Sequence, residues 1–142
     1  MKHNSTIIVD TSFWFALFTP GDPDHAAASN KASILDWAPL IFPWPVLYET
    51  INTKLIKNRV GITRLDSLIK SRNAILIDDA DYRGLALQAT IRESHAQVRT
   101  ISLVDMVIRF VIDDPNIRIA ALLTFNERDF ADVCLKRRVE LL

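Results

Sequence analysis

Three scarcities bound what this 142-residue chain can be. Its single cysteine, Cys134, excludes an internal disulfide and a cysteine-rich zinc site. Its three histidines, His3, His25 and His95, stand apart from the acid-bearing segments described below, which argues against a zinc centre. There is no surplus of either charge: 17 Lys+Arg balance 17 Asp+Glu. Any nucleic-acid contact must therefore come from a local basic face. No apolar run is long enough to span a membrane. The opening MKHNSTIIVD has an apolar stretch too short for a secretory signal, and it ends on an acid. A cytoplasmic protein is the expectation. No repeat, low-complexity segment or Gly/Ser linker divides the chain. Its length suits one domain over residues 1–142, and 49% hydrophobic and 24% charged residues are ordinary for a globular fold.

What is present is an alternation of short apolar runs with helical spacings. Thr6–Asp10, LIFPWP (40–45), Ala74–Asp78, Ile119–Thr124 and Val139–Leu142 read as strands, the second running into a turn at its prolines. Thr11–Phe18, Asp24–Trp37, Val46–Asn58, Ile62–Arg72, Tyr82–Ser94 and Ser102–Ile112 read as helices, with Gly61 as punctuation and NERDF as a turn into a short helix. Short strands without a polar face, alternating with helices, imply a mostly parallel sheet covered on both sides, an α/β/α sandwich. Such sheets keep their ligands at the carboxyl ends of the strands.

Asp10 sits at that end of the first strand, directly after Ile7, Ile8 and Val9. Glu49 follows the prolines of PWP, Asp105 lies inside SLVDMVI, and Asp129 closes TFNERD. Each acid alone has an ordinary explanation. Asp10 can cap the helix after it, Ser102-x-x-Asp105 and Asn126-x-x-Asp129 resemble capping boxes, and Glu49 can face solvent. Their apolar surroundings argue otherwise, because a buried charge is costly unless it is paired or coordinated. If four carboxylates converge, a hard divalent cation such as Mg²⁺ or Mn²⁺ is the natural counter-ion, since it takes oxygen ligands.

The segments IIVDTS, PVLYETIN, ISLVDMVI and LLTFNERDF, in that order, resemble the acid motifs of the PIN-domain family, in the small bacterial form similar to VapC toxins. The resemblance runs from Ile7 to Leu142. It implies a parallel-sheet α/β/α fold and a Mg²⁺/Mn²⁺-dependent endoribonuclease. It assigns the catalytic and metal-binding roles to Asp10, Glu49, Asp105 and Asp129, with Asn126 as a supporting polar residue. It also implies a homodimer and a cognate antitoxin. Two departures stand out. An amide, Asn126, occupies a place where many members carry an acid. The stretch between Asp105 and Thr124 is long, so Glu127 competes with Asp129 as the fourth acid.

The hydroxyls of Thr11, Ser12 and Thr124 can support the acids or serve as ordinary caps. Lys54, Arg109 and Arg128 are candidates for RNA phosphates, with Lys57, Arg59 and Arg64 near the first, although Arg109 can equally pair with an acid. Lys136-Arg137-Arg138 reads as a solvated helix end. FWFALF (13–18) has almost no polar face. Either the chain covers it or it meets a partner, and Trp14 either packs in the core or stacks on a base. A PIN-like scaffold without activity is the competing reading. A receiver domain lacks support because Asp10 has no adjacent acid and no lysine follows Ile119–Thr124. A haloacid-dehalogenase-type phosphatase would need an acid at Ser12.

Overall fold

The computed structural model describes residues 6–142, so His3 lies outside the described residues. The chain forms β1 (Ile7–Val9), α1 (Thr11–Phe18), α2 (His25–Lys31), α3 (Ile34–Trp37), β2 (Leu40–Pro43), α4 (Trp44–Thr50), α5 (Arg59–Ile69), β3 (Ile75–Ile77), α6 (Arg83–Ala96), α7 (Leu103–Asp113), β4 (Ala121–Leu123), α8 (Glu127–Arg137) and β5 (Glu140–Leu141). The strands make one parallel sheet in the order β3-β2-β1-β4-β5, flanked by helices. The sandwich expected from the alternation is the one observed.

The winding explains where the site lies. From β1 the chain moves outward to β2 and β3, then returns to the other side of β1 to lay down β4 and β5. The direction reverses between β1 and β4, and ligand crevices open at the carboxyl ends of strands at such a reversal. Val9 pairs with Leu123 there. The next residues, Asp10 and Thr124, therefore leave the sheet side by side.

β1, β2 and β4 are buried throughout, which is why their sequences carry no polar alternation. α1 packs on α2 and α4 and is covered almost entirely. Phe13, Trp14, Ala16 and Leu17 are buried, while only Phe15 of that run is exposed. Trp14 stacks between Phe18 and Phe42, at 5.8 and 5.9 Å between ring centroids, so it is a core residue and not a base platform. FWFALF is apolar all round because the chain surrounds it.

Several boundaries differ from the expected ones. The helix expected over Asp24–Trp37 breaks into α2 and α3. That expected over Val46–Asn58 begins earlier, at Trp44 directly after Pro43, and ends at Thr50, with a separate 3-10 turn at Leu55–Lys57. A proline in the first turn lacks only an amide that would have no partner there, so PWP starts a helix rather than a turn. Gly61 does not interrupt the chain but lies in the first turn of α5. A Cβ there would stand 3.1 Å from both the Asn58 amide nitrogen and the Phe18 ring. Asn58 caps α5 through the Gly61 amide and donates to the Phe18 carbonyl, so the glycine permits a close approach. α8 runs eleven residues, longer than the short helix expected after NERDF.

Candidate active site

Asp10 occupies the N-cap position of α1, yet its side chain caps nothing. The carboxylate is buried and turned toward the β4 exit. Ser12 Oγ donates to its Oδ2 at 2.7 Å, and Thr124 Oγ1 donates to the same oxygen at 2.9 Å. Both hydroxyls are held in turn by backbone amides: Phe125 N–H donates to Ser12 Oγ, and Asn126 N–H donates to Thr124 Oγ1. Each hydroxyl has one proton and gives it to Asp10. This arrangement orients Oδ2 and leaves Oδ1 buried without a hydrogen-bond partner. Ser12 and Thr124 are thus the supporting hydroxyls. Thr11 Oγ1 is buried and makes no hydrogen bond. Asn126 is exposed and takes part through its backbone.

Asp105 sits in the first turn of α7. Ser102 Oγ accepts from the Asp105 amide, so Ser102 caps the helix and the Asp105 carboxyl is free for another role. That carboxyl is pushed up to about 8 from its ordinary 3.8, first by burial and then by the negative charges of Asp10, Asp129 and Glu49. Asp129 adds a side-chain hydrogen bond in the same direction. A carboxyl hemmed in by three others keeps its proton because the ionised form is both desolvated and repelled. Four acids from four segments therefore converge at the carboxyl ends of β1 and β4. Of the two candidates for the fourth acid, Asp129 is the one whose charge acts on Asp105.

None of these four acids forms a salt bridge with a described residue. Arg109, one turn beyond Asp105, does not pair with it. It clasps Asp132 of α8 with two nitrogens, at 2.6 and 2.8 Å, and donates to the Asp129 carbonyl at 2.7 Å. Of its two sequence readings, pairing with an acid is the one observed. The acid is Asp132. Arg99 extends the network, 3.3 Å from Asp132 and 3.5 Å from Glu93. Lys54 and Arg128 are exposed, with no ion pair or hydrogen bond from their side chains among the described residues. Arg64 is taken up by the Ala32 carbonyl at 3.4 Å and by Asp36 at 3.8 Å.

The missing component of the cluster is positive charge. Carboxylate oxygens, one of them orphaned on Asp10, suit Mg²⁺ or Mn²⁺. Among the described residues, no group of three or more His, Cys, Asp or Glu side chains stands close enough together to hold a metal ion as it is. The acids act on one another across the crevice without making a finished cage.

A PIN domain family model matches residues 7–136, and the chain belongs to that family. Among solved structures it is similar to Mycobacterium tuberculosis VapC20, a sarcin-ricin loop cleaving toxin. That match has 26% identity and a TM-score of 0.64, over 89% of this chain and 94% of that one. It also shares its fold with Rickettsia felis VapBC2 bound to a DNA fragment from their promoter, at 15% identity and a TM-score of 0.58, over 96% and 97% of the two chains. No curated protein matches significantly. Sequence reasoning missed the Arg99–Asp132 pair, whose partners lie far apart in the chain and belong to no motif.

Proposed function

We propose that this chain is a Mg²⁺- or Mn²⁺-dependent endoribonuclease acting on single-stranded or structured RNA, and the toxin of a toxin–antitoxin pair in the cytoplasm. The observation that carries the reading is the buried Asp105 carboxyl, raised by three neighbouring acids and matched by no cation. A scaffold that had lost activity would have no use for such an arrangement. Family membership and the likeness to a toxin that cleaves RNA support the same class.

Asp10, Glu49, Asp105 and Asp129 are the residues that would hold the cation. When bound, it would lower the pKa of a water and stabilise charge on the phosphate oxygens. Ser12 and Thr124 fix the Asp10 carboxylate through one oxygen and leave the other without a hydrogen-bond partner. Arg109 holds the first turn of α8 by its Asp129 carbonyl and thereby positions that acid. Lys54 and Arg128 remain as phosphate contacts.

The expectation of a homodimer keeps its support but changes its surface. The covered FWFALF segment does not supply the apolar face. The edge strand β3 exposes Ile75 and Leu76, and α6 exposes Leu85, Leu87 and Ile91. An edge strand and a helix with apolar residues in solvent are what a second copy would cover. Light scattering at tens of micromolar should give twice the monomer mass. A monomer there would defeat the dimer reading. An antitoxin follows from the toxin reading. The exposed Phe15 face lines a cavity of about 480 Å³, with Phe18, Pro20 and Leu55, that offers it an apolar seat.

The test of activity is direct. The purified chain should cut single-stranded RNA with Mn²⁺ or Mg²⁺ and lose that activity in excess chelator. Equal cleavage with chelator would exclude the metal mechanism.

A further inference from the structure

A second cavity, of about 440 Å³, opens beside the acids. Pro45, Tyr48 and Glu49 of α4 form one wall, Leu103 of α7 another, and Asp79 and Arg83 its polar side. Glu49 belongs to both places: it lines the cavity, and its charge helps to raise the Asp105 carboxyl. Whatever fills the cavity is therefore next to the group at the acids.

We propose that this cavity seats one nucleobase of the RNA, beside the phosphate that is cut; the inference rests on the ribonuclease reading. Three features select a base. The walls are largely apolar with a few polar groups, and the volume lies within the roughly 300–1,000 Å³ of small-molecule sites. Tyr48 is 75% exposed. It is braced by Trp44 one turn earlier, at 5.9 Å between centroids, and so presents a flat face in solvent. Bases stack on such faces whatever their sequence. Finally, the charges disfavour a phosphate in the cavity itself: Glu49 and Asp79 are two carboxylates against the single guanidinium of Arg83. A neutral ring meets no such repulsion. Its polar edge can accept from Arg83, whose side chain has no hydrogen bond or ion pair among the described residues, and can donate to Asp79. Tyr48 supplies affinity, and Arg83 with Asp79 supplies the preference among bases.

The experiment uses the full chain and a set of short single-stranded RNAs differing only at the nucleotides flanking the cut. Wild type should discriminate at one flanking position. Tyr48→Ala should raise KM roughly 5- to 100-fold, the range expected for one lost stacking contact, with a smaller effect on kcat. Tyr48→Phe should restore KM. Arg83→Ala should flatten the discrimination. A second arm, with chelator present, follows the NMR signals of Tyr48 and Leu103 as a single-stranded RNA trinucleotide is added at millimolar concentration. Shifts confined to the cavity support the proposal. Unchanged KM in Tyr48→Ala, with no shifts at Tyr48 and Leu103, overturns it. So does a Tyr48→Ala variant that cuts normally but changes its oligomeric mass, which would make the cavity a protein interface. If wild type cuts no RNA with any metal and the trinucleotide still shifts the cavity signals, the ribonuclease reading fails and the base site stands.

Discussion

Two charged neighbourhoods lie one turn apart on α7, and they treat charge in opposite ways. At Asp105, acids face acids, and the carboxyl keeps its proton up to about pH 8. At Arg109, every charge is met. Asp132 receives Arg109 and Arg99, and hydrogen bonds from Arg109 hold its carboxyl well below the usual range. The second neighbourhood ties α8 to α7. The first works against folding and has no structural purpose that an amide or an apolar residue would not serve as well. Perturbed acids left unpaired beside a fully paired network are the pattern of a functional site, and the proposed activity rests on that contrast. The network is also what holds the acids in place, since Arg109 grips the carbonyl of Asp129.

The largest expected effect comes from breaking the unpaired side. Asp10→Asn and Asp105→Asn should each lower RNA cleavage with Mn²⁺ by at least about 100-fold, because changes one layer farther from a metal already reach roughly 10- to 100-fold. Asp24→Asn and Asp66→Asn should leave cleavage near normal: both are exposed, and Asp66 pairs with Lys70 at 2.9 Å. Initial rates on one RNA substrate decide this. A motif variant that keeps near-normal rates would remove its residue from the site.

Breaking the paired side should act on stability first. Arg109→Ala removes three short hydrogen bonds, two to a carboxylate, but Asp132 is half exposed and water replaces part of the loss. A cost of about 1–3 kcal/mol is expected in urea denaturation, the usual scale for hydrogen bonds to charged groups. Cleavage should fall as well, through the loosened Asp129. If stability drops while activity holds, the network supports the fold and does not position the acid.

The contrast between these neighbourhoods also separates what was legible in the sequence from what was not. The strands were legible because each is a run of β-branched or apolar residues, and the four acids that the structure brings near one another stood out as acids inside or beside apolar segments. Their convergence came from order and resemblance. The helix ends were less visible. α6 and α8 close on the left-handed residues Gln97 and Arg138 rather than on glycine, so nothing in the sequence announces them. The exposed apolar surface was misplaced, because whether FWFALF is covered depends on α2 and α4 arriving from elsewhere. Arg109 was ambiguous for the same reason: its partner, Asp132, is near only once α8 has folded back.

The smallest expected effect tests the comparison at its centre, in Asp105→Asn without metal. The sign follows from linkage. The Asp105 carboxyl has a pKa raised in the fold to about 8 from 3.8. Between those values the folded chain binds the extra proton. Its contribution to stability is therefore complete below about pH 4 and is lost as pH rises through about 8. The amide carries no charge at any pH and resembles the protonated acid. Wild type and Asp105→Asn should then differ less at pH 5, where only part of that contribution is lost, than at pH 9. The variant should become more stable by about 0.5–2 kcal/mol above pH 8, the usual gain from relieving one unfavourable feature. The same change should shrink the stabilisation that Mn²⁺ gives, because a ligand is lost. Pairing of Asp105 with Arg109 would predict the opposite sign, but that arginine is engaged with Asp132. Denaturation of both proteins at pH 5 and pH 9, with chelator and then with Mn²⁺, measures all of these quantities. A metal-free variant clearly less stable than wild type at pH 9 would make Asp105 a structural residue and dissolve the contrast between the two ends of this turn.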